Sequence, residues 1–266
     1  MKQTPTLVQL LKLLEQDSRK LETQAVRTLL RAFKATDREA AALLRELVSL
    51  MLLQNPADRF AAKERLTRMA AALWPDLPPP LLLAVQDAVR LGGDVGAGML
   101  AASGAPAALT IAAPAVEAAV GAIPARLTAI WGDARADHAA RVGRVMTQAL
   151  SAGGRYPVRA ELQKALQVSR ARAQMIAVTE TQAALSDGQA QVFDRARDDL
   201  GLELEAEWLA ARDSRTRPSH RRVDRERVPY GKKFSNGLTR PHMPGAPAAE
   251  VVRCRCSLAV RVKGGD

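Results

Sequence analysis

The sequence has few aromatic residues, only two cysteines and only three histidines in 266 residues. Aromatic residues make up 3% of the chain, whereas 47% of it is apolar, mostly Ala, Leu and Val. Because Ala and Leu lose little side-chain freedom in a helix, this composition favours helices. Two cysteines in a C-x-C arrangement exclude a disulfide framework, so a cytoplasmic site of synthesis and assembly is predicted.

The sequence also lacks a signal peptide and a strongly apolar membrane span. Charges at Lys12, Glu15 and Asp17 interrupt the apolar run that a signal peptide needs. Residues 95–116 carry no charge and are numerous enough to span a bilayer, but Ala, Gly and Pro dominate them and make membrane transfer weak. Membrane contact is therefore not predicted, and residues 95–125 are interpreted as a hinge with short Ala-rich helices.

No common catalytic motif is present, because G-x-S-x-G, H-E-x-x-H, a Walker loop and a dinucleotide-binding fingerprint are all missing. We therefore predict that the protein is not an enzyme and has no small-molecule substrate. The alternative that the residues leave open is a nuclease or another phosphoryl-handling enzyme. It would use His220 as a base beside Asp213 and Arg217. A structural network of these residues is favoured, because no second carboxylate or partner histidine stands at a known spacing.

Hydrophobic spacing predicts the α+β class, with a mostly helical N-terminal body and a small C-terminal module that contains a short antiparallel sheet. The two strands are expected where apolar and polar residues alternate, at residues 204–211 and 256–262. Asp58 is the predicted N-cap of one helix. The predicted helical stretches are residues 5–53, 58–73, 81–91, 126–150 and about 160–200.

Three regions follow from these patterns: a helical N-terminal region at residues 1–94, the hinge at 95–125, and a C-terminal domain at 126–266. The last domain ends in a basic module at residues 203–263. Between Trp208 and Lys263 there are 14 Lys and Arg residues against 4 acidic ones, a net charge of +10 out of +11 for the chain. Such a concentration predicts binding to a polyanion, either double-stranded DNA without sequence preference or an acidic protein surface. The predicted contact residues are Arg221, Arg222, Arg225, Arg227, Lys232 and Lys233.

Four residues of this module, His220, His242, Cys254 and Cys256, are of the types that bind zinc. Zinc takes Cys and His ligands in tetrahedral geometry, and alternate strand residues such as the two cysteines point to the same side. Their spacing differs from that of zinc fingers and ribbons. The sequence therefore leaves two alternatives: one structural zinc, or no cofactor, with buried thiols and hydrogen-bonded histidines.

Four sequence blocks occur in an order that is similar to one known family. They are I-A-V-T-E-T-Q-A-A from residue 176, D-S-R-T-R-P-S-H from residue 213, M-P-G-A-P-A-A-E-V from residue 243 and R-C-R-C-S-L from residue 253. Together they resemble the phage head morphogenesis family, the minor head proteins of the Mu F type, over about residues 125–262. The chain departs from the family pattern at Val178, where Arg is usual, and at Arg253, where Asn is usual. It also has Asp224-Arg225 where the family has an Asp-Gly turn.

The resemblance implies a minor head protein of a tailed phage or prophage, present in few copies. Such a protein would bind the portal and the major capsid or scaffold protein and assist procapsid assembly, DNA packaging or DNA delivery. It would reside in the virion, at the head interior or portal vertex, after assembly in the host cytoplasm. Residues of the blocks and of the preceding strand are expected to be structural: Thr179, Glu180, Trp208, Asp213, Arg215, Arg217, Pro244 and Gly245.

Overall fold

The computed structural model describes residues 6–105 and 108–264, and for residues 108–111 the backbone alone. The helices in this part of the chain are α1 (Leu7–Ala35), α2 (Asp37–Met51), α3 (Pro56–Ala61), α4 (Lys63–Ala71), α5 (Pro79–Ala102), α6 (Ala108–Ala152), α7 (Val158–Asp198), α8 (Pro218–Arg222) and α9 (Ala248–Val251). A single 3-10 turn, Gly153–Arg155, lies between α6 and α7. The strands are β1 (Leu204–Leu209), β2 (Arg227–Pro229) and β3 (Ser257–Val262). The predicted helical body with a small α+β module is confirmed.

The sheet has three antiparallel strands in the order β2-β1-β3. In the register of the central strand, Glu207 lies opposite Arg227 on one side and Ala259 on the other. Both predicted strands form, within two residues of their expected ends. The short strand β2 was not predicted, because three residues are too few for an alternation pattern to be visible.

Several predicted helix boundaries were wrong. Residues 58–73 are divided between α3 and α4, and α6 begins at Ala108 instead of residue 126. Pro114 and Pro124 lie inside α6, although proline cannot donate a helical hydrogen bond. Continuous helix therefore includes much of the proposed hinge segment, and the role of residues 95–125 as a hinge stays a prediction.

The chain divides into two compact units. The first unit contains Met1–Ala25, Leu82–Pro124 and Ala177–Asp266, and the second contains Val26–Leu81 and Ala125–Ile176. The unit boundaries fall inside α1, α5, α6 and α7. The predicted domain boundaries at residues 94 and 126 are based on composition and stay a prediction.

The second unit has an apolar core from α2, α4, α6 and α7. Leu43, Leu47 and Met51 recur at a spacing of four along α2, so they share one face of the helix, and all three are buried. His138 of α6 is also buried, with its ring bonded to the hydroxyl of Ser169 at 2.9 Å and the carbonyl of Ala70 at 3.2 Å. Because burial lowers the pKa of His138, this histidine is neutral and acts as part of the core.

In the first unit, glycines allow α5 and α7 to approach closely. A Cβ built on Gly92 would overlap with the carbonyl oxygen of Leu185, and one on Gly188 would overlap with that of Val89. The glycine-rich stretch at residues 92–98 is therefore a helix-packing surface within α5. Within the described residues, no helix combines the length and apolarity that crossing a bilayer requires.

The N-cap residue of α3 is Asn55. The side chain of Asn55, not the predicted Asp58, accepts the backbone N–H of Ala57 at 2.9 Å. Asn55→Ala is expected to lower the free energy of unfolding of this helix by about 1 kcal/mol, because an N-terminal donor loses its partner. Asp58→Ala should cost only about 0.3 kcal/mol through the helix dipole. Amide hydrogen exchange within α3 measures both values, and an equal effect of the two substitutions would contradict the assignment.

Candidate functional site

The candidate site lies beside β1, the central strand of the small sheet. Trp208 of β1 is fully buried, and its ring centroid lies 5.1 Å from that of His220 and 5.3 Å from that of Phe234. His220 belongs to α8, which begins at Pro218. Proline fits the first position of a helix because its fixed φ is helical and no N–H is needed there. This short helix places the His220 ring in the interior, with 1% of the residue exposed.

Both cysteine thiols contact the same nitrogen of His220. The Sγ atoms of Cys254 and Cys256 each lie 3.5 Å from Nδ1 of His220. The opposite nitrogen, Nε2, is 2.8 Å from the carboxylate of Glu250, which can only accept a hydrogen bond when ionised. In the neutral ring Nε2 therefore carries the hydrogen, and the lone pair of Nδ1 faces the two sulfurs.

The ligand atoms of His220, Cys254 and Cys256 all lie within 4.8 Å of one another, and all three residues are buried. Within the described part of the chain, this is the one group of three or more His, Cys, Asp or Glu residues that could hold a metal ion. The structure thus brings together three of the four predicted ligands. Both cysteines are free thiols.

The two thiols differ in their preference for ionisation. A hydrogen bond from the Cys254 thiol, together with one from the backbone N–H of Ala211, lowers the pKa of Cys256. The hydrogen bond to Cys256 and burial raise the pKa of Cys254. Ionisation is therefore easier at Cys256 than at Cys254.

His242, the fourth predicted ligand, lies outside the group of three. Its Nε2 donates a hydrogen bond to the backbone carbonyl of Cys254 at 2.9 Å. Its Nδ1 is buried and has no hydrogen-bond partner among the described residues. Because burial lowers the pKa of His242 to about 4, the ring is neutral at pH 7, and Nδ1 presents an unused lone pair.

The residues Asp213 to Arg217 form an internal network. The carboxylate of Asp213 accepts hydrogen bonds from the backbone of Arg215 and the hydroxyl of Thr216, both at 3.0 Å, and pairs with Arg255. The guanidinium of Arg217 donates to the backbone carbonyl of Val252. Asp213 therefore joins the second sequence block to the fourth, and Arg217 joins it to Val252, which lies between the third and fourth blocks.

The first and third blocks also meet the fourth. The hydroxyl of Thr179 on α7 accepts the backbone N–H of Arg253 at 3.1 Å. Glu180 is half-buried beside it on the same helix. Pro244 and Gly245 lie in an exposed turn in which Gly245 has a φ of 76°, a conformation that favours glycine. The first and second blocks are thus far from the C-x-C segment in sequence but close to it in the fold, and the third block directly precedes it.

Two of the six predicted polyanion contacts have internal partners. The guanidinium groups of Arg225 and Arg227 bond the carboxylate of Glu207 at 2.8 and 3.1 Å. Arg225 also has a φ of 69°, so an arginine adopts a left-handed conformation at the position where the family pattern has glycine. The adjacent Asp224 holds this turn by accepting the backbone N–H of Ala210 at 2.9 Å.

The other four predicted contacts, Arg221, Arg222, Lys232 and Lys233, are exposed. Among the residues that the structure describes, none of these four has an acidic side chain within ion-pairing distance. Their charge is therefore directed to solvent and is available to a polyanion. The structure separates the basic residues of the module into an internally paired set and a solvent-facing set.

Two functional candidates were missed by sequence reasoning. Glu250 bonds both His220 and Ser219, and Glu207 binds three arginines while only 5% exposed. Glu250 stands in the third block, so its place in the motif was a usable indication. Glu207 had none, because a glutamate on a strand is normally assigned to the solvent face.

The geometry does not favour the alternative of a phosphoryl-handling enzyme. Each of its three residues, His220, Asp213 and Arg217, already has an internal partner. A general base must reach a substrate proton, and the ring of His220 is enclosed.

Comparison with known proteins yields one family. Residues 140–259 match the family model described as Phage Mu protein F like protein. The match covers all four blocks and confirms the resemblance to the phage head morphogenesis family. The match supports assignment of the chain as a phage head morphogenesis protein, and proteins of this family have a structural role. No curated protein and no solved structure matches the chain.

Proposed function

We propose that this chain, whose residues 140–259 are Phage Mu protein F like, is a minor head protein of a tailed phage or prophage. It binds the portal protein and the inner face of the procapsid and assists head assembly, DNA packaging or DNA delivery. The family match is the observation that carries the proposal. The convergence of the four blocks on one buried cluster supports it, because these residues serve to build a module and not an open catalytic cleft.

The surface that meets the head is the solvent-facing set of cations. Arg221 and Arg222 lie on α8, and Lys232 and Lys233 follow β2. Acidic portal or capsid side chains, or packaged DNA, complement such charges. Because exposed charge pairs are screened by salt, the binding should weaken as ionic strength rises.

Assembly in cells tests the proposal directly. The protein is expressed together with the portal, scaffold and major capsid proteins that its own phage encodes, and procapsids are isolated by sedimentation. We expect the protein to sediment with procapsids, and with portal alone when the capsid protein is omitted. Mass spectrometry of purified virions should find it in few copies. Its absence from both procapsids and virions would overturn the proposal.

The charge contribution has its own prediction. Arg221→Ala combined with Arg222→Ala should weaken binding to portal-containing procapsids about tenfold at low salt, because two exposed charges are lost. Lys232→Ala with Lys233→Ala should act similarly. Co-sedimentation across a salt series measures the effect, which should shrink at high salt.

The matched control is Arg38→Ala with Arg45→Ala on α2. Both arginines are exposed, and neither has an ion-pair partner among the described residues. The control removes the same charge from outside the basic module, so binding should change by less than about twofold. Equal losses for both pairs would show that net charge, and not this surface, governs the binding. Parallel titration with duplex DNA tells whether DNA binds the same cations.

A further inference from the structure

We propose that the buried cluster is a structural zinc site. Cys254, Cys256 and Nδ1 of His220 supply three ligands. Nδ1 of His242, which lies outside this group of three, supplies the fourth after its ring moves toward the ion. The ion joins the segment before β3 to α8 and to the loop that carries His242. All these parts belong to the first unit.

The two sulfur-to-nitrogen distances match tetrahedral zinc. With Zn–S of about 2.3 Å and Zn–N of about 2.0 Å, a tetrahedral angle places sulfur and nitrogen about 3.5 Å apart. Both sulfurs of the C-x-C pair lie 3.5 Å from Nδ1 of His220. A catalytic thiol needs one sulfur beside a base, whereas two thiols at the same distance from one nitrogen have the spacing of three ligands around one metal ion.

The surroundings of the ligands have the features of an outer coordination shell. Metal-binding histidines donate their second ring N–H to a carboxylate or carbonyl, which orients the ring. Glu250 performs this role for His220 at 2.8 Å, and the carbonyl of Cys254 does so for His242 at 2.9 Å. Backbone N–H groups also reach the sulfurs, from Ala211 to Cys256 and from Cys256 to Cys254.

The unpartnered Nδ1 of His242 is the independent observation that makes this residue the candidate for the fourth ligand. Buried polar atoms almost always have a hydrogen-bond partner, so an unpaired Nδ1 in a residue that is 6% exposed calls for an explanation. A lone pair directed to a metal ion provides it. An ion can enter through the cleft of about 710 Å³ that Cys256 lines.

Zinc fits this donor set better than other common ions. Two thiolates and two imidazoles are soft and borderline donors. Magnesium and calcium ions prefer oxygen ligands, so this donor set does not suit them. Four protein ligands leave no open position, as in structural zinc sites. The ion would hold together loops that have little regular secondary structure between residues 210 and 256.

Metal analysis of the full-length protein, purified without chelators, is the first test. We expect about one zinc per chain, and less than about half an equivalent that added zinc does not raise would overturn the proposal. Replacement by Co²⁺ should produce thiolate-to-metal charge-transfer bands and intense visible absorption of a tetrahedral site. Cobalt uptake without these bands would also overturn it.

Variants identify the ligands. Cys254→Ser, Cys256→Ser and His220→Ala should each abolish stoichiometric zinc, and Glu250→Gln should weaken zinc binding about 10-fold to 100-fold. His242→Ala should weaken it more than Glu250→Gln does. Unchanged zinc affinity in His242→Ala would remove His242 from the ligand set. The matched control is His138→Gln, which removes a buried histidine of the second unit and should retain one zinc.

Chelation of the wild-type protein keeps the proposal testable if a variant fails to fold. Removal of the metal should raise hydrogen exchange of β1, β3 and the loops at residues 210–256, and added zinc should reverse the change. Alkylation of Cys254 and Cys256 by iodoacetamide should be slow with zinc and at least about tenfold faster after chelation. Alkylation at the same rate in both states would contradict a zinc–thiolate site.

Discussion

Glu207→Ala is expected to lower the local stability of the three-stranded sheet by about 3 kcal/mol, because this buried carboxylate forms ion pairs with three arginines. Arg225, Arg227 and Arg261 bond it at 2.8, 3.1 and 2.9 Å, while its side chain is 7% exposed. Loss of the carboxylate removes the hydrogen-bond partner of Arg225 and leaves Arg227 and Arg261 with only the more distant Glu205. The estimate lies at the low end for a buried pair, because the arginines are partly exposed and can turn to solvent.

Hydrogen exchange of the β1 and β3 amides measures this effect as a rise in exchange rate of about 100-fold. The matched control is Glu205→Ala on the same strand. Glu205 pairs more weakly, with Arg261 at 3.4 Å and Arg227 at 4.0 Å, and its side chain is 35% exposed. It should cost about 0.5 kcal/mol. Similar costs for the two glutamates would show that burial does not distinguish them.

The contribution of Glu207 also depends on pH. Burial opposes its ionisation, but the hydrogen bonds and charges of Arg225 and Arg227 outweigh burial and lower the pKa of Glu207. A lowered folded-state pKa means that the stabilisation is present above the unfolded value of 4.5 and is lost as pH falls through the folded-state value. The stability difference between wild type and Glu207→Gln should therefore be constant near neutral pH and shrink below about pH 4.5.

Gly188→Ala should be comparably severe, because it forces α5 and α7 apart in the first unit. The added Cβ would overlap with the carbonyl oxygen of Val89 and lie 2.9 Å from the backbone nitrogen of Gly93. Backbone atoms cannot rotate away as a flexible side chain does. We expect a loss of about 3 kcal/mol in the stability of this helix pair, at the upper end of the range for overpacked sites.

Gly121→Ala is the control, since this glycine of α6 also belongs to the first unit and has nothing within 4 Å of an added Cβ. Alanine there should stabilise the helix by about 0.5–1 kcal/mol, because it removes the backbone freedom of glycine. Hydrogen exchange within α5 and α7 compares the two variants. A mild effect of Gly188→Ala would mean that the helices separate easily, contrary to their close packing.

Sequence patterns predicted the structure best where apolar residues recur on one face of a helix or strand. Helical spacing predicted the helical body, and the alternation of apolar and polar residues predicted β1 and β3. Boundaries were less reliable, because α6 continues through Pro114 and Pro124 and Asn55 caps α3. Tertiary packing compensates for a lost hydrogen bond in a long helix, and no local pattern records that compensation.

The composition, the periodicity and the four blocks by themselves determined the α+β class, the basic C-terminal module and the likeness to phage head proteins. These properties depend on residue type and local order, which the sequence states directly. Only the tertiary structure decided which ligand candidates meet, that Glu250 orients His220, and that Glu207 takes three of the arginines. These partners are separated by 18 to 54 residues, and their distances depend on how the chain turns between them.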